Sequence, residues 1–273
     1  MLAAHRYLVA RSMEEQAMLE ITADQQAIIN ERLRRTPSLS SVRHSLPVLF
    51  FGDLFTARIA TVALNPSWQE YLSSVKQGKQ ELVGSERRFE TLISLDSATR
   101  DALTDGQCRQ AIDRMRAYFQ LGKPIYSYFR ALDRVAQAMG YSYERGEVVH
   151  LDLVQEATDP TWSELRDEEL APLCQQDLRF LKWEIEQFPL TVLVCNGKTT
   201  FDTVLNLFNG EITASGPKAL VTWYAATAEV AGRTVHVVGW NKPLARATGL
   251  GTEGEKNLGS HLAAHLSTTA SGR

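Results

Sequence analysis

Cysteine is scarce in this 273-residue sequence, and its placement limits the chemistry open to the protein. Cys108, Cys174 and Cys195 form no CxxC pair, and their number is odd. Such a set excludes a four-cysteine zinc or iron–sulfur site and a disulfide framework. We therefore expect three reduced cysteines, no metal site and no cofactor.

Long hydrophobic runs are also missing. No apolar stretch approaches the roughly 20 residues needed to cross a bilayer. Residues 1–10 lack the long apolar core and the small-residue cleavage site of a secretory signal. A hydrophobic content of 44% with 22% charged residues is ordinary for a soluble globular protein. These features predict a cytoplasmic protein.

Positive charge is not in excess. The formal net charge is −3, whereas a strongly basic domain would have indicated nucleic-acid binding. This deficit does not exclude a nucleic-acid enzyme, because such an enzyme can concentrate its cations in one groove. The sequence also lacks a glycine-rich phosphate-binding signature and a Ser-His-Asp order of catalytic residues, so neither feature points to a competing enzyme family.

Apolar strands alternate with helical segments along the chain. The hydrophobic pattern predicts strands at 47–52, 58–64, 147–154 and 190–195, and a hairpin of 219–226 with 234–240. It predicts helices at 12–35, 68–76, 106–120, 124–140, 164–187 (with a break at Pro172), 199–208 and 257–266. This order predicts an α/β protein, a three-layer α/β/α sandwich with a mostly parallel central sheet. We expect an N-terminal helical extension (1–45), one α/β/α domain (46–266) and a disordered tail (267–273).

Polar residues follow four of the predicted strands. They are Asn65-Pro66-Ser67, the region of Asp152, Asn196-Gly197-Lys198 and Asn241-Lys242-Pro243. In open α/β sheets the ligand binds beyond the carboxyl ends of the strands, so these exits are expected to face one crevice. Ser67 and Glu70 form a capping-box pattern, and capping alone is an alternative role for the first exit.

Taken in order, these segments resemble the uracil-DNA glycosylase superfamily, in particular its mismatch-specific (thymine/uracil) branch. ALNPS (63–67) resembles the first motif, and LDLVQEAT (151–158) resembles the DLV-x-x-x-T segment of that branch. LTVLVCNGKTTFD (190–202) resembles the later strand and its Gly-Lys turn, and WNKPLAR (240–246) stands in the place of the second motif. The resemblance covers about residues 47–262. It implies a monomeric DNA glycosylase that flips a base out of DNA and cleaves its N-glycosidic bond.

The resemblance gives Asn65 a catalytic role. In such a reaction the sugar becomes oxocarbenium-like and the base leaves as an anion, so the enzyme needs a positioned water. Asn65 would hold that water through its side-chain oxygen, with Pro66 and Ser67 shaping the loop against the substrate. An amide cannot act as a strong base, unlike the Asp that the fastest members of the superfamily carry here. We therefore expect a slow enzyme that relies on orientation and electrostatics.

Asp152 and His150 alternate on one predicted strand and are candidates for contacting the base. In uracil-specific members this strand carries an Asn that reads the polar edge of uracil. An ionised Asp only accepts hydrogen bonds, which suits the N4 amino group of cytosine and disfavours the O4 of uracil or thymine. The target could then be a modified cytosine, although the mismatch-specific branch also has Asp here while cleaving uracil and thymine. As alternatives, Asp152 braces a loop and His150 is a core residue.

The second motif departs most from the superfamily, because it has no Pro-Ser pair. Asn241 would donate to the leaving base, in a register that could slip by one residue. Lys242 and Arg246 would contact phosphate, and Lys198 would contact the substrate from its own exit. Arg87 and Arg88 are further candidates for the DNA groove or, equally, part of a solvated face.

Two other functions fit the same crevice. A nucleoside hydrolase would act on free nucleosides and ignore DNA. A non-catalytic module would bind a modified base without cleaving it, which the missing acid in the first motif permits. If the protein is a glycosylase, base excision could serve repair or attack foreign DNA that carries unusual bases.

Overall fold

The structure, a computed structural model, describes residues 21–75, 78–122, 125–217, 220–247 and 249–271. The predicted first helix is observed as α1 (Ala23–Arg34), and its expected start at 12–20 lies outside the described residues. Thr22 begins α1 with a complete capping box that includes Gln25. Ile29 and Leu33 of α1 are buried in the main hydrophobic core, together with residues of the central sheet.

A six-stranded, mostly parallel sheet forms the centre of the protein, so the predicted α/β class is confirmed. The strands are β1 (Ile59–Ala63), β4 (Val148–Asp152), β5 (Val192–Cys195), β6 (Glu211–Ser215), β7 (Trp223–Val230) and β8 (Arg233–Trp240). Their order is β4-β1-β5-β8-β7-β6. The pairs β4–β1, β1–β5 and β5–β8 are parallel, whereas β8–β7 and β7–β6 are antiparallel. The predicted hairpin is thus observed as β7 and β8.

The remaining helices follow the predicted pattern closely. They are α2 (Asp105–Arg116), α3 (Ser127–Ala138), α4 (Asp167–Gln187), α5 (Lys198–Leu207) and α6 (Gly251–Ser271). The predicted break at Pro172 is wrong, since α4 runs through it. α6 is longer than predicted and continues to Ser271, into the segment that was expected to be a disordered tail. Among the described residues, every helix is too short or too polar to span a lipid bilayer.

The predicted helix 68–76 is wrong. Only one 3-10 turn, Trp68–Glu70, follows the Asn65-Pro66-Ser67 loop, and the chain then forms a separate antiparallel hairpin of β2 (Leu72–Val75) and β3 (Gly78–Glu81). Glu70 is 3% exposed, and its Oε2 accepts a hydrogen bond from the Tyr118 hydroxyl at 2.8 Å. The Ser67–Glu70 spacing therefore marks a turn with an inward-facing carboxylate.

The predicted strand 47–52 is wrong as well. This segment is buried, but its only β-bridge within the described residues joins Phe51 to His150. A continuous apolar run reports burial, and periodicity alone does not distinguish a strand from buried irregular chain. Conversely, β6 escaped prediction because it is an edge strand of mostly exposed residues.

Candidate functional site

The parallel register brings the ends of four strands, β4, β1, β5 and β8, to one edge of the sheet. Ala63 at the end of β1 lies opposite Asp152 at the end of β4. On the other side of β1, Val62 lies opposite Cys195, which in turn lies opposite Gly239 of β8. Asn65, Asn196 and the loop after Trp240 therefore emerge side by side, as predicted from the sequence.

Two neighbouring cavities open at this edge. The first, which we call the Asp152 cavity, has a volume of about 350 Å³, with aromatic walls and polar groups that include Asn65, Ser67, Glu70, His150 and Asp152. The second, the Trp162 cavity, has a volume of about 280 Å³ and is lined by Trp68, Thr158, Trp162, Asn196 and Arg246, among others. The cavities share the residues Asn65, Pro66, Ser67, Tyr128 and Ala245. The Asn65-Pro66-Ser67 loop is thus a wall common to both.

The side chain of Asn65 is held by its amide nitrogen. Nδ2 donates to the carbonyl oxygens of Pro66 (3.1 Å) and Glu156 (3.4 Å) and to Oγ1 of Thr158 (3.2 Å). Within the described residues its Oδ1 accepts no hydrogen bond, so this oxygen is available to a water or a ligand. Ser67 Oγ accepts the Gln69 N–H at 3.2 Å and caps the 3-10 turn. Asn65 is therefore the member of the loop that is fixed yet keeps a free acceptor.

The Asp152 carboxylate is buried, and the described protein supplies no hydrogen-bond donor to it. Asp152 is 2% exposed, and neither carboxylate oxygen has a hydrogen-bond partner among the described residues. His150 Nε2 lies 3.4 Å from Oδ1, close enough for an ion pair but without hydrogen-bond geometry. A buried charge without partners is costly. This carboxylate is therefore suited to accept hydrogen bonds from a ligand in the cavity.

His150 is fixed from its other side by a chain of hydroxyl groups. Its Nδ1 is 2.6 Å from Oγ1 of Thr61, which is 2.5 Å from the Tyr143 hydroxyl. Burial raises the pKa of Tyr143 well above its ordinary value, so its hydroxyl stays protonated. The hydroxyl groups of Tyr143 and Thr61 thus hold the imidazole through Nδ1. Its Nε2 faces Asp152.

Tyr128 and Asn196 join the cavity to the loop after β8. Asn196 Nδ2 donates to the Tyr128 hydroxyl at 3.0 Å, and its Oδ1 accepts from Trp240 Nε1 (3.1 Å) and from the backbone N–H of Leu244 (3.0 Å). Burial, and after it the negative charge of Asp152, raises the pKa of Tyr128 well above its ordinary value. Gly197, at φ +113°, brings the chain against Pro243, which a Cβ would approach to 3.1 Å. Asn196 thus links Tyr128 in the cavity wall to the loop after β8.

Asn241, predicted to contact the leaving base, lies elsewhere. Its Oδ1 accepts the backbone N–H of Thr222 at 3.0 Å, and its own N–H donates to the Thr222 carbonyl at 3.0 Å. It lines neither cavity, because this pairing uses it to tie two chain segments together. The next residues of the loop, Pro243, Ala245 and Arg246, line the Trp162 cavity in its place.

The predicted cations are divided between the site and other surfaces. Arg246 lines the Trp162 cavity, and neither Arg246 nor the exposed Lys242 forms an ion pair within the described residues. The Arg88 guanidinium lies 5.4 Å from the ring centroid of Tyr126, a residue of the Asp152 cavity. Lys198 lines neither cavity, since its Nζ is 2.6 Å from Oδ2 of Asp202. Arg87 is paired with Glu90 at 3.2 Å.

Several residues of the site were not recognised from the sequence. Phe51, Tyr128 and Phe129 line the Asp152 cavity, although their apolar pattern is that of core residues. Thr158 is the last residue of the segment 151–158, where the resemblance marked it without giving it a role.

The described residues contain no cluster of three or more His, Cys, Asp or Glu side chains able to hold a metal ion. Neither a protein-family model nor a curated protein matches the chain.

Proposed function

We propose that the protein is a DNA N-glycosylase that binds a flipped base in the Asp152 cavity and hydrolyses its glycosidic bond. The observation that carries the proposal is the pairing of a fixed Asn65, whose Oδ1 is free, with the partnerless Asp152 carboxylate on the walls of one cavity. The cavity volume of about 350 Å³ lies in the range of small-molecule sites, about 300–1,000 Å³. With this function we also propose the three-layer α/β/α arrangement of the superfamily and a monomer acting on DNA.

Asn65 positions the attacking water in this mechanism. The water donates a hydrogen bond to Oδ1 and is thereby held at the C1′ carbon of the sugar. The amide does not take up the proton of the water. Its oxygen bonds to C1′ as the bond from C1′ to the base breaks. The base leaves with the electron pair, and the water loses its proton to solvent. Orientation of one water in a partly enclosed site is the main catalytic effect.

Asp152 recognises the base. As a carboxylate it accepts hydrogen bonds, so it favours a base edge with an amino group, such as that of cytosine or a modified cytosine. His150 Nε2, 3.4 Å from Asp152 Oδ1, is a second polar group beside the base edge. The aromatic walls formed by Phe51, Tyr128 and Phe129 replace part of the stacking that the base loses on leaving the duplex.

Arg246 and Lys242 contact the DNA backbone beside the cavities. Both are free of carboxylate partners within the described residues, so they are available to phosphate groups. Arg88, next to Tyr126, is a third candidate on the other side of the Asp152 cavity. A formal net charge of −3 is compatible with this role, because a few cations beside the site are enough to contact phosphate groups.

The experiment is incubation of the protein with single- and double-stranded oligonucleotides that contain uracil, mispaired thymine, cytosine or 5-substituted cytosines. Abasic sites are scored by alkaline strand cleavage. We expect cleavage at a cytosine derivative by the wild type and by Asn206→Ala, a substitution of an exposed asparagine. Cleavage by Asn65→Ala should be about 100-fold slower.

Two results would assign another function. Binding of the same oligonucleotides without any abasic product would identify a base-binding module. Release of base from free nucleosides but not from DNA would identify a nucleoside hydrolase.

A further inference from the structure

We propose that Arg32 and Arg100 are positioning residues for Asn65, acting through Glu156. The inference rests on the proposed function in one respect, the catalytic role of Asn65. Its structural part concerns a buried network of charges behind the site, which includes a residue of α1. The network also gives the N-terminal helix a role in the site.

Glu156 contacts Asn65 and the arginines through different atoms. Its backbone carbonyl accepts from Asn65 Nδ2 at 3.4 Å, while its carboxylate points into the protein interior. Thr158, two positions further along the same loop, supplies the second anchor of Nδ2 at 3.2 Å. The position of this loop therefore decides where Asn65 Oδ1 points.

Arg100 binds the Glu156 carboxylate with two parallel hydrogen bonds. Nη1 donates to Oε1 at 2.7 Å, Nη2 donates to Oε2 at 2.9 Å, and Nε donates to the Ser45 carbonyl at 3.0 Å. The arginine and the glutamate side chains are 1% and 5% exposed. Such a forked pair fixes direction as well as distance. Burial raises the pKa of Glu156, but the charge and hydrogen bonds of Arg100, joined by Arg32, outweigh burial and hold it below its ordinary value.

Arg32 of α1 extends the network to the strand that carries Asp152. It lies 3.4 Å from Glu156 Oε1 and donates to Asp177 Oδ1 at 2.8 Å. Asp177 Oδ2 accepts the backbone N–H of Gln155 at 2.8 Å, and Gln155 Nε2 donates to the Asp152 carbonyl at 3.1 Å. The loop is thus held at Glu156 by both arginines, and at Gln155 by Arg32 through Asp177.

A buried arginine is a costly way to fill a core, because hydrophobic residues of similar volume are often as stable or more stable there. Two such residues that converge on one loop carboxylate specify the geometry of that loop. We therefore expect loss of the fork to loosen Asn65 before it unfolds the protein.

The test is the hydrogen exchange rate of the Asn65 side-chain amide, measured by ¹H–¹⁵N NMR in Arg100→Lys and Arg32→Lys. Lysine keeps the charge but not the fork. The Asn65 signal is assigned by its disappearance in Asn65→Asp. The Asn196 side-chain amide, held by Tyr128 on the other wall, is the internal reference. Arg34→Lys, on the same helix but paired with the exposed Asp105, is the matched control.

We expect Asn65 exchange to accelerate about five- to tenfold in both variants, the effect of losing roughly one hydrogen bond, with no change at Asn196 or in Arg34→Lys. Unchanged Asn65 exchange would overturn the proposal. Equal acceleration at Asn65 and Asn196 would also overturn it, because that pattern reports general destabilisation. The exchange measurement needs no substrate. A negative result with the oligonucleotides therefore does not contradict the positioning of Asn65 by the arginines, and unchanged exchange does not contradict the glycosylase assignment.

Discussion

Asn65 and Asp152 line the same cavity because Ala63 and Asp152 lie opposite each other across the β1–β4 ladder. The chain then leaves β1 along the sheet edge, and Asn65 follows two positions later. The amide nitrogen of Asn65 donates to three acceptors, whereas the carboxylate of Asp152 has no hydrogen-bond partner in the described protein. The proposed division of labour, water positioning by Asn65 and base recognition by Asp152, follows from this difference.

Replacing Asn65 should change the chemical step. Asn65→Ala removes the acceptor that holds the water, and we expect the single-turnover rate on the preferred oligonucleotide to fall about 100-fold, as for loss of one well-placed polar group in other enzymes. Asn65→Asp introduces a stronger base and should exceed the wild-type rate. Equal rates for all three proteins, with unchanged melting temperatures, would remove Asn65 from the mechanism.

Replacing Asp152 should change the choice of base. Asn can donate as well as accept, so Asp152→Asn should shift the ratio of uracil to cytosine-derivative cleavage towards uracil by about tenfold, within the range of one base-edge contact. The ratio is measured in a competition between two oligonucleotides that differ only in the target base. An unchanged ratio would show that Asp152 does not read the base.

Arg246 should contribute to DNA affinity through charge. Arg246→Ala is expected to weaken binding of all the oligonucleotides and to reduce the slope of log K against log salt by about one unit. The matched control is Lys198→Ala, because Lys198 lines neither cavity and is paired with Asp202. Equal losses in the two variants would argue that Arg246 acts only through general charge. Binding is measured by fluorescence anisotropy at several salt concentrations.

Asn196 should stabilise the fold more than an ordinary polar residue does. Asn196→Ala removes three hydrogen bonds, to Tyr128, Trp240 and Leu244, so we expect a loss of about 3 kcal/mol in the free energy of unfolding at about 1 kcal/mol for each. Urea denaturation provides the measurement, and Asn206→Ala should change stability little. A loss no larger than that of Asn206→Ala would contradict the described geometry.

Glu184 should make stability depend on pH. Burial raises the pKa of this carboxyl well above its ordinary value near 4.5, Arg32 opposes that shift, and both oxygens lack hydrogen-bond partners among the described residues. Above the unfolded pKa the unfolded chain is ionised while the folded chain keeps its proton. Stability therefore decreases as pH rises, by up to about 1.4 kcal/mol per pH unit, until the folded pKa is reached.

Glu184→Gln removes the carboxyl group that takes up a proton when the chain folds. We expect the variant to match the wild type near pH 4 and to be more stable at pH 7–8, as measured by urea unfolding across this range. Glu186→Gln, at a partly exposed position of the same helix, is the control. A constant difference between Glu184→Gln and the wild type at every pH would show that Glu184 ionises normally in the fold.

The fold class and the central loop were predictable because both depend on local sequence. Continuous apolar strands alternating with helices indicate a parallel sheet, and polar exits then fall at one edge. The 68–76 segment was predicted wrongly because Ser67 and Glu70 fit a helix start. What decides against the helix is the contact of Glu70 with Tyr118, which is distant in the sequence.

The other missed features depend on long-range partners in the same way. Asn241 has a side chain that is able to contact a base, but its hydrogen bond with the Thr222 backbone determines its position. Phe129 lies on an apolar helix stripe, and such a stripe looks the same in the sequence whether it faces the core or a cavity. The burial of Arg32 and Arg100 cannot be predicted from the sequence, because it depends on their long-range contacts with Glu156.

The central claim is tested most directly by detecting the free base. Wild-type protein and Asn65→Ala are incubated with the cytosine-derivative oligonucleotides, and released bases are quantified by mass spectrometry. The account predicts free base in amounts equal to the abasic sites formed by the wild type, and almost none with Asn65→Ala. Absence of free base from every oligonucleotide with the wild type, or equal release by Asn65→Ala, would contradict it.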